Sequence, residues 1–322
     1  MALEVDAVID RRRLSRRISL WRALAILAVI GAIAYGALSQ TDLGSRHIAR
    51  LNVQGAILTD RSMLQLIERL GKNDSVAGVL VSINSPGGTS VGGEMLFDAL
   101  RKLDEKKPVV AHITTLGASA AYMTALASDH IVAQRTSLTG SIGVLIQFGQ
   151  ISALLDRLGI AVHKVDSGPL KAEPNPFQPT DPAAIAALQS IVDDTFDYFL
   201  SLVVSRRDMP EAKARGLADG RIFTGAQALE DGLIDEIGGE DAAVAWLVKE
   251  RGVDEDLNIR TYRPRSESDV PLLTRTANAV LDRVFVALGM AIPPQFPKGS
   301  VDGLWSIWHA SLAPGNKAIN ND

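Results

Sequence analysis

Two short runs of apolar, β-branched residues set the fold of this chain. Val76–Asn84 and Pro108–Ile113 have the pattern of strands that are buried on both faces, which is typical of a largely parallel sheet. Each run is followed by a turn and then by a helical pattern. Strands that alternate with helices in this way predict an α/β domain whose helices pack on the sheet.

The same periodicities predict the remaining elements. The further predicted strands are Arg46–Ile57, Asp129–Ala133, Ser141–Phe148 and Ile160–Val165, with a short strand and turn in Gly232–Gly239. The predicted helices are Arg61–Leu70, a helix ending near Leu103, Ala120–Ser128, Ile151–Leu158, a long amphipathic helix starting at Asp181 and Pro182, and Ala242–Glu250. Asp219–Gly225 is predicted to be a turn that leads to a further helix. Between them, five prolines exclude regular structure from Ser167–Pro182.

Composition excludes several classes of function. With 33 basic and 37 acidic side chains the net charge is −4, and outside the N-terminus no basic patch suggests a nucleic-acid partner. The absence of cysteine excludes disulfides, thiolate metal sites and a cysteine nucleophile. The five histidines lack metal-ligand spacing. We therefore expect neither a metal nor another cofactor.

The first forty residues form a separate element. Arginines precede or enter an apolar stretch, Ile18–Leu38, which is long enough to cross a hydrocarbon core of ~30 Å. The cluster consists of Arg11, Arg12, Arg13, Arg16, Arg17 and Arg22. Because such clusters stay cytoplasmic, the chain after Gln40 is expected on the periplasmic side of a bacterial inner membrane. The prediction is a single, uncleaved transmembrane helix, although Ala32–Ala34 also resembles a signal-peptide cleavage site.

Three segments follow from these patterns. Residues 1–40 form the basic segment and the anchor, 41–255 the α/β domain, and 256–322 a partly helical tail. Within the tail, Leu272–Met290 has an apolar helical pattern, and Trp305 and Trp308 follow it. Two readings stay open: the tail packs on the domain or a neighbouring subunit, or it contacts membrane or substrate.

Ser119 lies where a predicted strand gives way to a helix of small residues, at the centre of the stretch Leu116–Val144. At such a turn the first helical N–H groups are unpaired, and the helix dipole favours negative charge. The position therefore suits an attacking oxygen and the oxyanion that it creates. The competing interpretation is an ordinary helix N-cap.

A serine nucleophile needs a base. No histidine occurs in Ile131–Ala161, and His163 is the one histidine kept as a reserve. A desolvated lysine can be neutral and accept the proton, and Lys171 stands out through its proline-stiffened loop. The backbone N–H groups of Gly88, in a Pro-Gly-Gly turn, and of Ala120 could form a two-donor oxyanion hole, although Pro-Gly-Gly also makes plain turns.

Five motifs, in order, resemble the signal peptide peptidase SppA family of the ClpP/crotonase-like superfamily, and the resemblance covers Arg46–Arg251. The motifs are Asn84–Gly88, Ala118–Tyr122, Leu138–Val144, Ser167–Lys171 and Asp219–Gly225. The resemblance implies layered sheets with packed helices, ring-like homo-oligomers whose neighbouring subunits help to form the sites, a nucleophile at Ser119, a base at Lys171, and oxyanion donors at Gly88 and Ala120. One departure is that Ala120-Ala121 replaces Gly-Gly.

The sequence thus predicts a membrane-anchored serine endopeptidase that degrades cleaved signal peptides and other apolar peptides. Ser141 is a candidate helper that steadies Lys171 by a hydrogen bond, with a purely structural role as the alternative. Two other functions remain open: an acyl-CoA hydratase or isomerase on the same fold, and a non-catalytic membrane scaffold. Against the former stand the membrane segment and the lack of a carboxylate near Ser119 in the chain.

Overall fold

A computed structural model describes residues 45–264 and, before them, Trp21 alone. The residues described from 45 onward belong to one compact unit of the chain. Apart from Trp21, the predicted transmembrane segment Ile18–Leu38 lies outside the described residues, as does the tail beyond residue 264. None of the described helices has both the length and the apolarity needed to cross a bilayer.

Strands and helices alternate as predicted over much of the described chain. The strands are β1 (His47–Gln54), β2 (Val76–Ser85), β3 (Val109–Ala118), β4 (His130–Ala133), β5 (Leu138–Gly140), β6 (Ile222–Thr224), β7 (Glu236–Ile237) and β8 (Ile259–Tyr262). The helices are α1 (Arg61–Lys72), α2 (Ser90–Asp104), α3 (Ala120–Ala125), α4 (Ser152–Arg157), α5 (Pro182–Arg207), α6 (Glu211–Leu217), α7 (Gly225–Asp231) and α8 (Glu240–Arg251).

Strand β3 is the branch point of the sheet. The strand order is β6-β5-β3-β2-β1-β8, parallel throughout except for the antiparallel pair β5–β6. The first half of β3 pairs with β4, and its second half, Leu116–Ala118, pairs with β5. The mixed α/β architecture is therefore confirmed, and the chain leaves β3 at the end of the branch that pairs with β5.

Both faces of the central strands are buried, as their apolar runs predict. Alternate residues point to opposite sides: Ala49, Val79 and Ala111 contribute to the larger core, which also contains apolar side chains of α1, α2, α3 and α5. Ile48 and Leu80 point to the other face and share a smaller core with α8. The central strands therefore lie between two packed layers.

Two predicted strands are wrong. Ser141–Phe148 and Ile160–Val165 have no regular structure, and the strand in this region is β5, which ends at Gly140. Residues 145–180, here called the arm, contain no buried residue, so their apolar pattern contributes to no sheet among residues 45–264. The arm nevertheless includes α4 and the predicted irregular proline-rich loop.

Other elements differ from their predicted bounds, and one strand was not predicted. Helix α3 ends at Ala125 instead of Ser128, and β3 continues to Ala118 instead of stopping at Ile113. Strand β8 was not predicted: it pairs with β1 and lies beyond residue 255, in the segment predicted to be tail. Helix α5 begins as predicted, since the Asp181 side chain accepts a hydrogen bond from the N–H of Ala183.

Candidate active site

Ser119 occupies the sharp turn between β3 and α3. Its backbone angles, φ 57° and ψ −124°, lie in a region that is costly for a residue with a side chain. Although Ser119 stands at the N-cap position, its side chain makes no capping hydrogen bond. Its backbone N–H instead donates to the carbonyl oxygen of Gly140, at 2.8 Å. The ordinary N-cap interpretation is therefore wrong, and within the described part of the chain the hydroxyl has no hydrogen-bond partner at this strained strand-to-helix turn.

Helix α3 is held rigidly behind this turn. All six of its residues are buried. The hydroxyl of Tyr122 donates to the carbonyl oxygen of Leu233 at 2.7 Å, and burial raises the pKa of Tyr122, which keeps it a neutral donor. At the other end, Arg206 from α5 donates to the carbonyl oxygens of Leu126 (2.8 Å) and Ser128 (3.0 Å), which suits the negative end of the helix dipole.

The Pro-Gly-Gly turn after β2 closely approaches Ser119. Gly87 has φ +99°, and a β-carbon there would lie 2.8 Å from both the Ala118 carbonyl oxygen and the Ser119 Cβ. Hydrogen bonds hold the turn against Ile57, whose N–H donates to the Gly87 carbonyl at 2.8 Å. The N–H of Gly88 donates to no backbone acceptor within residues 45–264. As the first residue of α3, Ala120 has no acceptor inside its own helix.

The alanines that replace Gly-Gly fit the backbone. Neither Ala120 nor Ala121 has a positive φ, so neither position requires glycine. Ala120 is buried against α2, where a β-carbon added to Gly93 would lie 2.9 Å from the Ala120 Cβ. The missing side chain at Gly93 thus leaves room for the methyl group of Ala120.

A cavity of about 590 Å³ opens beside Ser119, within the usual size range of ligand pockets. Gly88, Ser119 and Ser141 all line it, and so do two carboxylates. The lining residues are Pro86, Gly88, Ser90, Ser119, Ser141, Gly143, Val144, Leu145, Val192, Asp193, Phe196, Ala218, Asp219 and Gly220. A separate cavity of about 490 Å³ between α1 and α2 is lined by no serine, threonine or histidine, so it offers no hydroxyl nucleophile.

Lys171 does not line this cavity. It is exposed in the arm, and among the described residues its Nζ makes no hydrogen bond or ion pair. The nearby Lys164 differs, because its ammonium group pairs with Asp166 (2.8 Å) and Glu173 (2.5 Å). Hydrogen bonds to these two carboxylates raise the pKa of Lys164. Within one chain, then, the predicted serine and oxyanion positions come together without the predicted base.

Ser141 faces the cavity from the end of β5. Its φ is +49°, and its backbone N–H donates to the carbonyl oxygen of Arg221 at 2.8 Å. Its hydroxyl has no hydrogen-bond partner in the part of the chain that the structure describes. The cavity is therefore lined by three serines, Ser90, Ser119 and Ser141, and none of their hydroxyls has a hydrogen-bond partner among residues 45–264.

No histidine lines the cavity. His163, the reserve base, is exposed in the arm. His112 is buried within β3, where neither ring nitrogen has a partner, and burial lowers its pKa. His130 stacks on Trp246, with ring centroids 4.9 Å apart. Among residues 45–264, no group of three or more histidine or acidic side chains could hold a metal ion.

Sequence reasoning missed part of the cavity wall. Val192 and Phe196 line it from α5, a helix predicted only from its amphipathic pattern. Asp219 also lines it, in a motif that the sequence presents as a turn. The only signal for Asp219 was the motif Asp219–Gly225 itself, and nothing local in the chain marks the α5 residues.

Comparison with known proteins agrees with this geometry. The model of peptidase family S49 matches residues 101–254. A Synechocystis sp. protein named as a protease is 36% identical over 66% of this chain and 76% of its own length. A Methanocaldococcus jannaschii protein, also named as a protease, is 37% identical over 58% of this chain and 60% of its own length. An Enterococcus faecium protein named as signal peptide peptidase SppA is 31% identical over 70% of this chain and 71% of its own length.

Proposed function

Because this chain belongs to peptidase family S49 and is a serine protease, we propose that Ser119 is its nucleophile and Lys171 its general base. The observation that carries the proposal is the strained turn at Ser119. Its hydroxyl does not make the capping hydrogen bond that an N-cap serine ordinarily makes, and it faces a cavity beside the Gly88 turn. A hydroxyl held in this way is free for attack on a bound peptide.

The reaction follows from these groups. Lys171, in its neutral form, accepts the proton of the Ser119 hydroxyl while Oγ attacks the peptide carbonyl carbon. The N–H groups of Gly88 and Ala120 stabilise the negative charge that develops on the carbonyl oxygen. Lys171 then donates its proton to the leaving amine, and water hydrolyses the acyl-enzyme. Ser141 supplies a hydrogen bond that steadies the Lys171 amine.

The two lysines of the arm differ in their fitness as a base. Lys164 is held protonated by Asp166 and Glu173, so its amine is not free to accept a proton. Lys171 has no carboxylate partner among residues 45–264. A lysine amine that an active site desolvates, and that no carboxylate of its own chain already holds, is the kind of base that this reaction requires.

A second copy of the chain supplies Lys171 in this proposal. The arm carries Lys171 outside the cavity of its own chain, and it exposes apolar side chains that include Leu145, Leu154 and Leu158. Exposed apolar surface of this kind marks a protein interface. A ring-like homo-oligomer that buries these side chains would bring the arm of one subunit to the cavity of the next.

The proposed substrates are apolar peptides, including cleaved signal peptides. The apolar wall formed by Val144, Leu145, Val192 and Phe196 supports this choice, because such a wall favours apolar side chains. We also propose the ClpP/crotonase-like layering, and an anchor at Ile18–Leu38 that holds the domain at the periplasmic face of a bacterial inner membrane. Membership of a peptidase family weighs against the acyl-CoA enzyme and the scaffold.

The test uses the full chain, purified in detergent, with a fluorogenic apolar peptide. Ser119→Ala and Lys171→Ala should each abolish cleavage without unfolding the protein, whereas Lys164→Gln should cleave normally. Co-assembly of Ser119→Ala subunits with Lys171→Ala subunits should restore part of the activity, because some cavities then combine an intact serine with a neighbour's intact lysine. Full activity of either single variant would refute the dyad, and no recovery on mixing would refute the shared site.

A further inference from the structure

We propose that the ion pair between Asp219 and Arg221, here called the clasp, holds the Ser141 hydroxyl in the cavity, and that Asp219 is therefore a positioning residue for peptide cleavage. The inference rests on the proposed function, because it takes Ser141 as a partner of the reacting groups. The clasp belongs to the motif Asp219–Gly225, to which the mechanism above gives no role.

The clasp closes a three-residue turn on itself. The Asp219 carboxylate accepts hydrogen bonds from the backbone N–H of Arg221 (3.1 Å) and from its Nε (2.8 Å), and the Arg221 Nη2 also pairs with it. Gly220 between them has φ +86°, which lets the chain reverse. Nothing lies within 4 Å of a β-carbon placed on Gly220, so this side of the turn is not packed against other residues.

The turn is bonded directly to Ser141. The Arg221 carbonyl oxygen accepts the Ser141 N–H at 2.8 Å, beside the antiparallel pair of Gly140 and Ile222. Ser141 needs this support, because its φ of +49° is unfavourable for a residue with a side chain. If the Arg221 carbonyl moves, the Ser141 backbone can relax, and its hydroxyl then leaves the cavity.

Gly140, the residue before Ser141, connects the same turn to Ser119, the proposed nucleophile. Gly140 accepts the Ser119 N–H at 2.8 Å and is itself fixed beside Phe223, whose ring lies 2.5 Å from where a Gly140 β-carbon would sit. Ser119 has further support, because β3 precedes it and α3 follows it. Ser141, by contrast, begins an irregular segment. The clasp should therefore matter more for Ser141 than for Ser119.

The exposure of the clasp argues against a mainly stabilising role. The side chain of Asp219 is 44% exposed and that of Arg221 is 62% exposed. Exposed ion pairs contribute little to the free energy of unfolding. This pair contributes little to stability, yet it fixes the Arg221 carbonyl, which is bonded to Ser141. Positioning of Ser141 therefore explains the pair better than stabilisation does.

A double-mutant cycle on the full-length protein tests the inference. Ser141→Ala and Asp219→Ala should each lower kcat about 10-fold or more, since misplacing a catalytic group by about 1 Å can cost ~100-fold. If Asp219 acts through the Ser141 hydroxyl, the double variant should stay within about 2-fold of Ser141→Ala, because coupled sites are not additive. Asp219→Asn, which can still accept the Arg221 N–H, should lose less than Asp219→Ala.

Three results would overturn the inference: losses that add in the double variant, a normal kcat in Asp219→Ala, or a normal kcat in Ser141→Ala. If Asp219→Ala does not fold, Arg221→Ala removes the ion pair, keeps the turn and should show the same dependence on Ser141. Glu68→Ala, which breaks an exposed ion pair with Lys72 on α1 and does not line the Ser119 cavity, is the matched control. Ser119→Ala run in parallel separates the two ideas: if it cleaves peptide, the proposed function fails, and the inference fails with it.

Discussion

The carbonyl oxygen of Ile57 lies 1.9 Å from the point where a β-carbon on Gly88 would sit. This contact is with backbone, so it cannot be relieved by a side-chain rotation. The turn that carries the Gly88 N–H is therefore pressed directly against the segment before α1. In a site that needs this N–H as an oxyanion donor, the position of the donor depends on the absence of a side chain at residue 88.

We expect Gly88→Ala to lower kcat by about 10²–10³, the usual cost of losing one oxyanion donor. The turn must move away from Ile57, and the N–H moves with it. Hydrolysis of the fluorogenic peptide and thermal unfolding should be measured together, so that a folding defect is recognised. Gly216→Ala is the control: nothing lies within 4 Å of its added β-carbon, and alanine favours the helix, so activity should be unchanged. Normal turnover in folded Gly88→Ala would exclude Gly88 as a donor.

Charges introduced into the arm should prevent assembly. Leu154 and Leu158 are 54% and 62% exposed, and an interface that buries them would have to desolvate any carboxylate placed there. We expect Leu154→Glu and Leu158→Glu to give monomers in analytical ultracentrifugation and to lose peptide cleavage. Since the arm contains no buried residue, the unfolding temperature of the domain should change little.

Leu229 on α7 provides the comparison for the arm variants, because it is also an exposed leucine (40%) and lies outside the arm. Leu229→Glu should assemble and cleave normally. An intact, active oligomer in both arm variants would contradict the shared site.

His112 should make the protein less stable as the pH falls. Burial lowers the pKa of His112 below its ordinary value of 6.5, with Glu240 raising it and Arg50 lowering it further. The unfolded chain therefore binds more protons below a pH of about 6.5, and the free energy of unfolding decreases as the pH drops through this range. Above that range the contribution is constant.

Urea denaturation between about pH 5 and pH 8 measures this effect, because His112 titrates in the unfolded chain near pH 6.5. The stability of His112→Leu relative to the native protein should be constant above about pH 7 and should increase below it. His163→Leu, in the exposed arm, serves as the reference substitution. Parallel curves for the native protein and His112→Leu would show that His112 takes up its proton equally in both states.

The central strands could be predicted because the whole reason for their pattern lies within this chain. Val76–Ser85 is apolar since both of its faces are covered, and Ser119 could be singled out because it follows such a strand. The same reasoning failed for the arm, because Ile160–Val165 has the apolar pattern of a buried strand but is not buried by the described residues. An apolar pattern indicates that a segment is suited to burial, but it does not indicate which molecule buries it.

Other features depend on contacts between distant parts of the chain. Strand β8 is short, lies at the sheet edge and is only half-buried, so its four residues carry no strong periodicity. The role of Asp219 depends on the pairing of β5 with β6, which brings residues 141 and 221 together across 80 positions. Ordered motifs could single out Ser119 and Lys171 as candidate catalytic residues. In the proposed site, however, Lys171 reaches a serine only through assembly with a second subunit.

The packing of Gly93 on Ala120 limits how this site can vary. Between α2 and α3 there is room for one methyl group, and in this chain Ala120, the residue after the proposed nucleophile, fills it. A larger side chain at position 120 would push the two helices apart and shift the first turn of α3, together with the proposed oxyanion donor. Substitution next to Ser119 is thus restricted by a residue on another helix, which does not itself line the cavity.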